Sequence, residues 1–380
     1  MSRDPDENRE QSELVLDPED GVEDLNEDKE VIPYNFEITA YGADYDVEGL
    51  VKRVKRGDIA IPTFDPEIEE TESGIVGFQR RFVWRKTQCD RFIESLLLGL
   101  PVPGIFLVKE PDGVLLVLDG QQRLRTLEKF FDGEFNDKIF KLESVQERFE
   151  GLTYKELPDD DRRRLNDAII HATVVRQDSP EREQESVYLI FERLNTSGTA
   201  LQPQEVRSAL YSGELADLIR QLNENEDWRA IFGPPSPRFK DHELIVRFFA
   251  LLYYGDQYKR PMKVFLNRYM ATNRDLERQS AGQLKSIFEK TVSAFREAKG
   301  DRVFRVPRNL NAAVFDAAMT GLARRLNDID EVTDYEGLAD AYDSLVADDD
   351  FLAAVERATA DEESVRTRLG KATEAFSDID

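Results

Sequence analysis

Three short segments of this 380-residue chain carry side chains whose types and spacing suit phosphate chemistry. The first is Asp119-Gly120-Gln121-Gln122-Arg123, which follows the apolar run Val114–Leu118 and precedes the amphipathic run Leu124–Phe131. A strand that turns directly into a helix presents the first helical N–H groups, and these together with the macrodipole attract an anion. Gly120 lets a ligand approach the backbone, Gln121 and Gln122 donate and accept without charge, and Arg123 offers a planar fork for phosphate oxygens. Asp119 could hold a divalent cation such as Mg2+ or orient a water, the usual work of a lone carboxylate beside phosphate. The competing account is a plain capped helix, with Asp119 as N-cap, solvated glutamines and Arg123 in a surface ion pair.

The second segment is Phe78-Gln79-Arg80-Arg81-Phe82-Val83-Trp84-Arg85-Lys86. Basic groups interleaved with aromatics in an otherwise acidic chain fit contact with phosphates and stacked bases. Alternatively, Phe82 and Trp84 only anchor the next helix. The third is Phe191–Leu201, where Arg193-Leu194-Asn195-Thr196-Ser197-Gly198 ends one helix before another begins at Pro203. Loops of this composition turn N–H groups and hydroxyls toward anions, although a simple helix–loop–helix connection is the commoner case. Glu205 and Arg207 on the following helix read as a local ion pair.

The elements that must position these segments follow from apolar periodicity and turn residues. Helical spacing over 46–54 ends at Arg56-Gly57-Asp58, and Ile59–Pro62 reads as a short strand. Residues 63–77 are acidic, lack a core pattern and read as a surface loop. Thr87–Leu100 is an amphipathic helix with the stripe Phe92, Ile93, Leu96 and Leu97. Strands are expected at Gly104–Lys109 and Val114–Leu118, joined by a Pro-Asp-Gly turn. A further strand is expected over Ala168–Val175, with helices over Pro180–Leu194 and Pro203–Tyr211. Beyond about residue 214 the spacing is almost entirely helical. The expected organisation is a disordered acidic tail over 1–30, an α/β (α+β) domain over 31–213 and a helical domain over 214–380.

Composition narrows the classes of chemistry. One cysteine, Cys89, and two histidines, His171 and His242, argue against a disulfide framework and against a Cys- or His-based metal site. No apolar run reaches the length of a membrane span and no secretory signal opens the chain, so no membrane association and a cytoplasmic location are expected. The net charge is −26, and residues 1–30 hold 13 Asp/Glu against three basic residues. With 35 Arg and 16 Lys, such a surface fits a high-salt cytoplasm. An acidic partner-binding or DNA-mimicking surface is the other account.

The three segments, in this order, resemble the GmrSD restriction endonuclease N-terminal domain family, which has a ParB/sulfiredoxin-like core. The likeness rests on Tyr45–Pro62, FQRRFVW (Phe78–Trp84), IESLLLGLPVP (Ile93–Pro103), VLDGQQRLRTL (Val117–Leu127) and FERLNTSGTALQPQEVRSALY (Phe191–Tyr211). Asp241–Tyr269 and Asn311–Asp316 also look like the family's helical part. The resemblance implies a nucleotide site formed by Asp119, Gln121, Gln122 and Arg123 as catalytic candidates, with Gly120 at the phosphates. Gln79 and Arg80 would lie nearby, and Arg193, Asn195 and Thr196 would close the pocket. Arg81, Trp84 and Arg85 would touch nucleic acid, and Asp119 would be the metal ligand for Mg2+.

Many relatives carry a C-terminal HNH-type nuclease domain, but no histidine follows His242. A standalone form that does not cut DNA by HNH chemistry is therefore expected, with a separate nuclease subunit as partner. Two functions remain open. One is an NTP-hydrolysing regulator, using GTP or another NTP, of a DNA restriction or phage-defence system. The other is a ParB-like, non-catalytic sensor or adaptor that binds DNA, including modified DNA, and recruits the nuclease.

Overall fold

The computed structural model describes residues 22–23, 37–61, 84–110, 112–179, 185–194, 202–305, 309–356 and 358–380. The expected tail over 1–30 lies outside these residues except for Val22–Glu23, and so does the acidic stretch 63–77.

In chain order the first half runs β1 (Val22–Glu23), β2 (Glu37–Asp46), α1 (Val47–Arg56), β3 (Ile59–Ala60), α2 (Lys86–Leu97) and β4 (Ile105–Lys109). It continues with β5 (Leu115–Asp119), α3 (Gln121–Asp132), the small hairpin β6 (Glu134–Phe135) and β7 (Lys138–Ile139), then α4 (Asp159–Asn166), β8 (Ile169–Ser179) and α5 (Glu185–Leu194). Local chemistry sets several boundaries. Asp46 ends β2 and starts α1, its carboxylate accepting from Gly49 N at 2.6 Å. Gln88 accepts from Arg85 N at 2.9 Å and so holds the first turn of α2. The stripe Phe92, Ile93, Leu96 and Leu97 is buried, as the periodicity predicts.

Five strands form one mixed sheet in the order β2-β8-β4-β5-β3. The β2–β8 and β4–β5 pairs are antiparallel, whereas β8–β4 and β5–β3 are parallel. Side chains alternate between two apolar cores. Leu107, Leu115, Val117 and Val174 face α1, α2 and α3, while Val108, Leu116, Leu118 and Val175 face α5 and the helices beyond it. Both faces are thus covered, which explains why β5 reads as a continuous apolar run. Strand β2 escapes that pattern. It is an edge strand, exposed over residues 37–42, and no strand is expected there from periodicity; its ten residues are held by pairing with β8.

The second half is helical: α6 (Pro203–Leu210), α7 (Glu214–Asn223), α8 (Glu226–Phe232), α9 (Lys240–Tyr254), α10 (Met262–Thr272) and α11 (Ala281–Lys299) come first. Then follow β9 (Leu310–Asn311), α12 (Ala312–Arg325), α13 (Tyr335–Val346), α14 (Asp349–Glu356) and α15 (Glu362–Ala375). Helix α12 is buried nearly all round, as a central helix must be, and packs against α9, α11 and α15. Gly321 permits its closest approach, since a Cβ there would lie 2.7 Å from the Ala372 backbone of α15. β1 pairs in parallel with β9, tying Val22–Glu23 to the helical half. The expected boundary at 213/214 falls between α6 and α7, and both helices contribute to the same second core.

That core contains a ladder of buried charges. Arg207 on α6 donates to Glu243 on α9 at 3.0 Å. Arg247 on α9 holds Asp316 on α12 with two bonds, of 3.1 and 2.6 Å, and Arg368 on α15 reaches the same carboxylate at 3.1 Å. Glu205 lies 3.3 Å from Arg238. Glu205 and Arg207 are therefore not a local surface pair. Both are fully buried; Arg207 pairs with Glu243 on α9 and Glu205 with Arg238 in the turn before it, because α9 and α10 cover the face of α6 that carries them.

Candidate functional site

Asp119 is the last residue of β5, and α3 begins two residues later. The residue between them is the N-cap, Gly120, at φ 100° and ψ 7°. Asp119 is thus not the N-cap, and Gly120 has no side chain with which to cap the helix. Only glycine suits the position. The backbone is left-handed, and a Cβ would collide with Ile105 Cγ2 and sit 2.9 Å from Ile105 Cβ. The turn is consequently pressed onto the start of β4, where Ile105 and Gly104 lie.

Arg123 points back along α3 toward the strand. Its Nη2 donates to Asp119 Oδ2 at 2.5 Å and to Gly104 O at 3.0 Å. The guanidinium side chain is 13 % exposed and the carboxylate side chain 44 %, so the arginine is the anchored member. Arg123 Nε is buried without a hydrogen-bond partner among the described residues. Gly104 was not singled out from sequence; a glycine immediately before a strand that faces the site was the available signal.

The neighbouring helix completes the geometry. Gln122 Oε1 accepts from Trp84 N at 3.2 Å, just before α2, and one turn further on Thr126 Oγ1 lies 3.6 Å from Cys89 Sγ. Contacts that advance together from 84 to 89 and from 122 to 126 mean that α2 and α3 run side by side in the same direction. Their N-termini meet at Trp84–Lys86 and Gly120–Arg123. Two positive macrodipole ends at one place favour a polyanion more than either alone. Sequence periodicity marks both helices but not their relative direction.

The remaining candidates divide clearly. Asp119, Gly120, Gln121, Gln122 and Arg123 share one strand–turn–helix, with Trp84 and Arg85 beside it. Trp84 is half-buried and packs edge-on against Phe92 at 5.5 Å, as the helix-anchor account has it. Arg85 is exposed. Lys86 is committed elsewhere: it bonds to Asp90 at 2.5 Å and to Lys141 O, and lies 4.6 Å from the centre of the Phe140 ring. Arg193 sits in the last turn of α5, which packs on the opposite face of the sheet from α3. Gln79, Arg80, Arg81, Asn195 and Thr196 lie outside the described residues.

Two titratable groups of α2 are buried, Cys89 against α3 and Asp90 beside Lys86 and Glu143. Burial pushes the Cys89 thiol up to about 11, so it stays protonated and is no nucleophile. Burial also raises the Asp90 carboxyl, against the opposing pull of Lys86. Among the described residues no three His, Cys, Asp or Glu side chains are placed to hold a metal ion. A cation at Asp119 would therefore share a single protein carboxylate and draw its other ligands from phosphate and water, which is how Mg2+ commonly binds.

Residues 47–212, from α1 to just past α6, match the family described as GmrSD restriction endonuclease, N-terminal domain. The chain carries a GmrSD N-terminal domain. No curated protein and no solved structure matches the chain. The GmrSD domain includes the whole Asp119–Arg123 turn, both helices that converge on it, and the α5–α6 segment. The likeness expected over Asp241–Tyr269 and Asn311–Asp316 falls beyond the matched span. Among the described residues no helix is long and apolar enough to cross a membrane.

Proposed function

We propose that the Asp119–Arg123 turn binds the phosphates of an NTP, and that the chain is a nucleotide-responsive regulatory component of a DNA restriction or phage-defence system. The family description places related domains in restriction endonucleases, which supports the system-level part of the reading. The observation that carries the site-level part is the convergence of two co-directional helix N-termini on a glycine-seated turn with Arg123 already oriented. In this reading α2 and α3 supply the positive field, Arg123 binds phosphate oxygens, and Gln121 and Gln122 position the nucleotide or a water. Mg2+ would arrive with the nucleotide, taking Asp119 as its protein ligand. GTP or another NTP is the substrate, and DNA and a separate nuclease subunit are the partners.

Phosphate release from each NTP with magnesium tests the reading. Turnover that is lost in Asp119→Ala and Arg123→Ala is expected. Tight nucleotide or DNA binding with no release would favour the sensor or adaptor instead. Release from Asp119→Ala at the wild-type rate would remove the turn from the chemistry.

A further inference from the structure

A second concave site lies in the helical half, away from the nucleotide turn. Gln204 and Ser208 of α6 and Ser212 just after it follow one another at intervals of four residues and so line one wall. Arg220 of α7, His242 of α9 and Met270 of α10 close the others. Ser212 O is tied to Arg274, which pairs with Glu110 at 3.3 Å. Glu110 follows β4, at the end of the sheet opposite Asp119, so the two sites are distinct.

The cleft gathers side-chain donors from Gln204, Ser208 and Arg220 beside the Asp217 carboxylate. Gln204 is 1 % exposed. Its Oε1 accepts from Arg207 Nε at 2.7 Å, but among the described residues its amide Nε2 faces only the Met270 thioether at 3.8 Å. A thioether is a weak acceptor, and a buried amide donor ordinarily has an oxygen partner. The half-buried Ser208 hydroxyl makes no hydrogen bond among the described residues. Arg220 donates to Asp217 at 3.0 Å, and both residues line the cleft. Phe239 adds a sign of built geometry. It holds φ 60° and ψ 24°, a strained region for an aromatic residue, and its ring meets His242 edge-on at 4.9 Å.

We propose that this cleft binds a small oxyanion, the phosphate or carboxylate of a ligand of metabolite size. Gln204 Nε2 and the Ser208 hydroxyl donate to its oxygens, and Arg220 supplies the charge. Asp217 must yield Arg220 to the ligand, which keeps the affinity moderate and disfavours weaker anions such as chloride.

The test is calorimetric titration of the full chain, in chloride buffer, with inorganic phosphate and separately with acetate. Wild type, Ser208→Ala, Arg220→Gln and Arg123→Ala are compared after their melting curves are matched. Saturable binding of at least one anion is expected to persist in Arg123→Ala, where the nucleotide turn contributes nothing, and to weaken by about tenfold or more in Arg220→Gln, with a smaller loss in Ser208→Ala. Binding of phosphate alone identifies a phosphoryl ligand, binding of acetate alone a carboxylate, and binding of both a site that takes either oxyanion. The proposal is overturned if neither anion saturates, if Arg220→Gln binds like wild type, or if Arg123→Ala alone abolishes binding. The last result would instead locate the anion at the nucleotide turn.

Discussion

Arg123 is tethered to Asp119, four residues earlier at the end of β5, by a 2.5 Å ion pair in which the arginine is the more buried partner. The pair orients the guanidinium before any ligand arrives, yet it also neutralises it. A phosphate must therefore compete with Asp119 for Arg123 unless a cation occupies the carboxylate. That competition makes the two partners separable by experiment.

Asp119→Asn should tighten nucleotide binding in the absence of divalent metal, because Arg123 is released from its counter-charge. With magnesium present the same substitution should weaken binding, because the metal loses its carboxylate. Each change should be about tenfold, the worth of one charge-assisted hydrogen bond. Fluorescent-nucleotide titrations with and without a chelator measure both; equal affinities under the two conditions would remove the metal from Asp119.

Gly120→Ala should be among the most damaging single-methyl additions in the GmrSD domain. The left-handed backbone costs about 1–2 kcal/mol for any L side chain, and overpacking against Ile105 adds about 1–3 kcal/mol. Urea denaturation reads the loss. A variant as stable as wild type would show that the turn can move off β4.

Asp316 carries two buried arginines, Arg247 and Arg368, and is itself fully buried. Asp316→Ala should destabilise the chain by about 3–5 kcal/mol, since it removes the carboxylate shared by two buried arginines. Replacing Asp316, Arg247 and Arg368 together with apolar residues of similar volume should recover much of that loss. Denaturation midpoints of the single and triple variants decide the matter, and equal losses in both would mean that packing, not charge, dominates.

Stability should carry an acid-side dependence from exposed, paired carboxylates. The Lys371 ammonium, and then the Phe351 N–H, hold the Asp348 carboxyl below its ordinary 3.8. A depressed folded value means that its contribution is present above 3.8 and disappears as the pH falls through the folded value. Asp348→Asn should thus melt slightly below wild type near neutrality and together with it in strong acid. The offset is small because the pair is exposed to solvent. An offset that persists in acid would point to packing instead.

The net charge of −26 sets a further expectation. Self-repulsion at this charge weakens as salt screens it, so the melting temperature should rise from low to molar potassium chloride. A flat or falling curve would mean that the many surface ion pairs, such as Lys290–Asp330 at 2.6 Å, outweigh the repulsion.

The amino-acid sequence by itself determined the local devices. Asp46 before an apolar stripe, Gly120 between a strand and a helix, and the Phe92–Leu97 periodicity each act over a few residues, so α1, α2, α3 and the β4–β5 hairpin were legible. The order of the three polar segments likewise carried the family resemblance that the match over 47–212 bears out. Only the tertiary structure decided three other matters. Strand β2 exists because β8 pairs with it at the sheet edge, where exposed residues 37–42 receive no burial pattern. Glu205 and Arg207, polar residues on a short helix, became core residues only when α9 and α10 closed over them. The meeting of the α2 and α3 N-termini depends on the relative direction of two helices separated in sequence by a hairpin. Periodicity marks the face that a helix buries, whereas direction is set by packing both helices on the same side of one sheet, so the turn at Asp119–Arg123 acquired its second positive end only on folding.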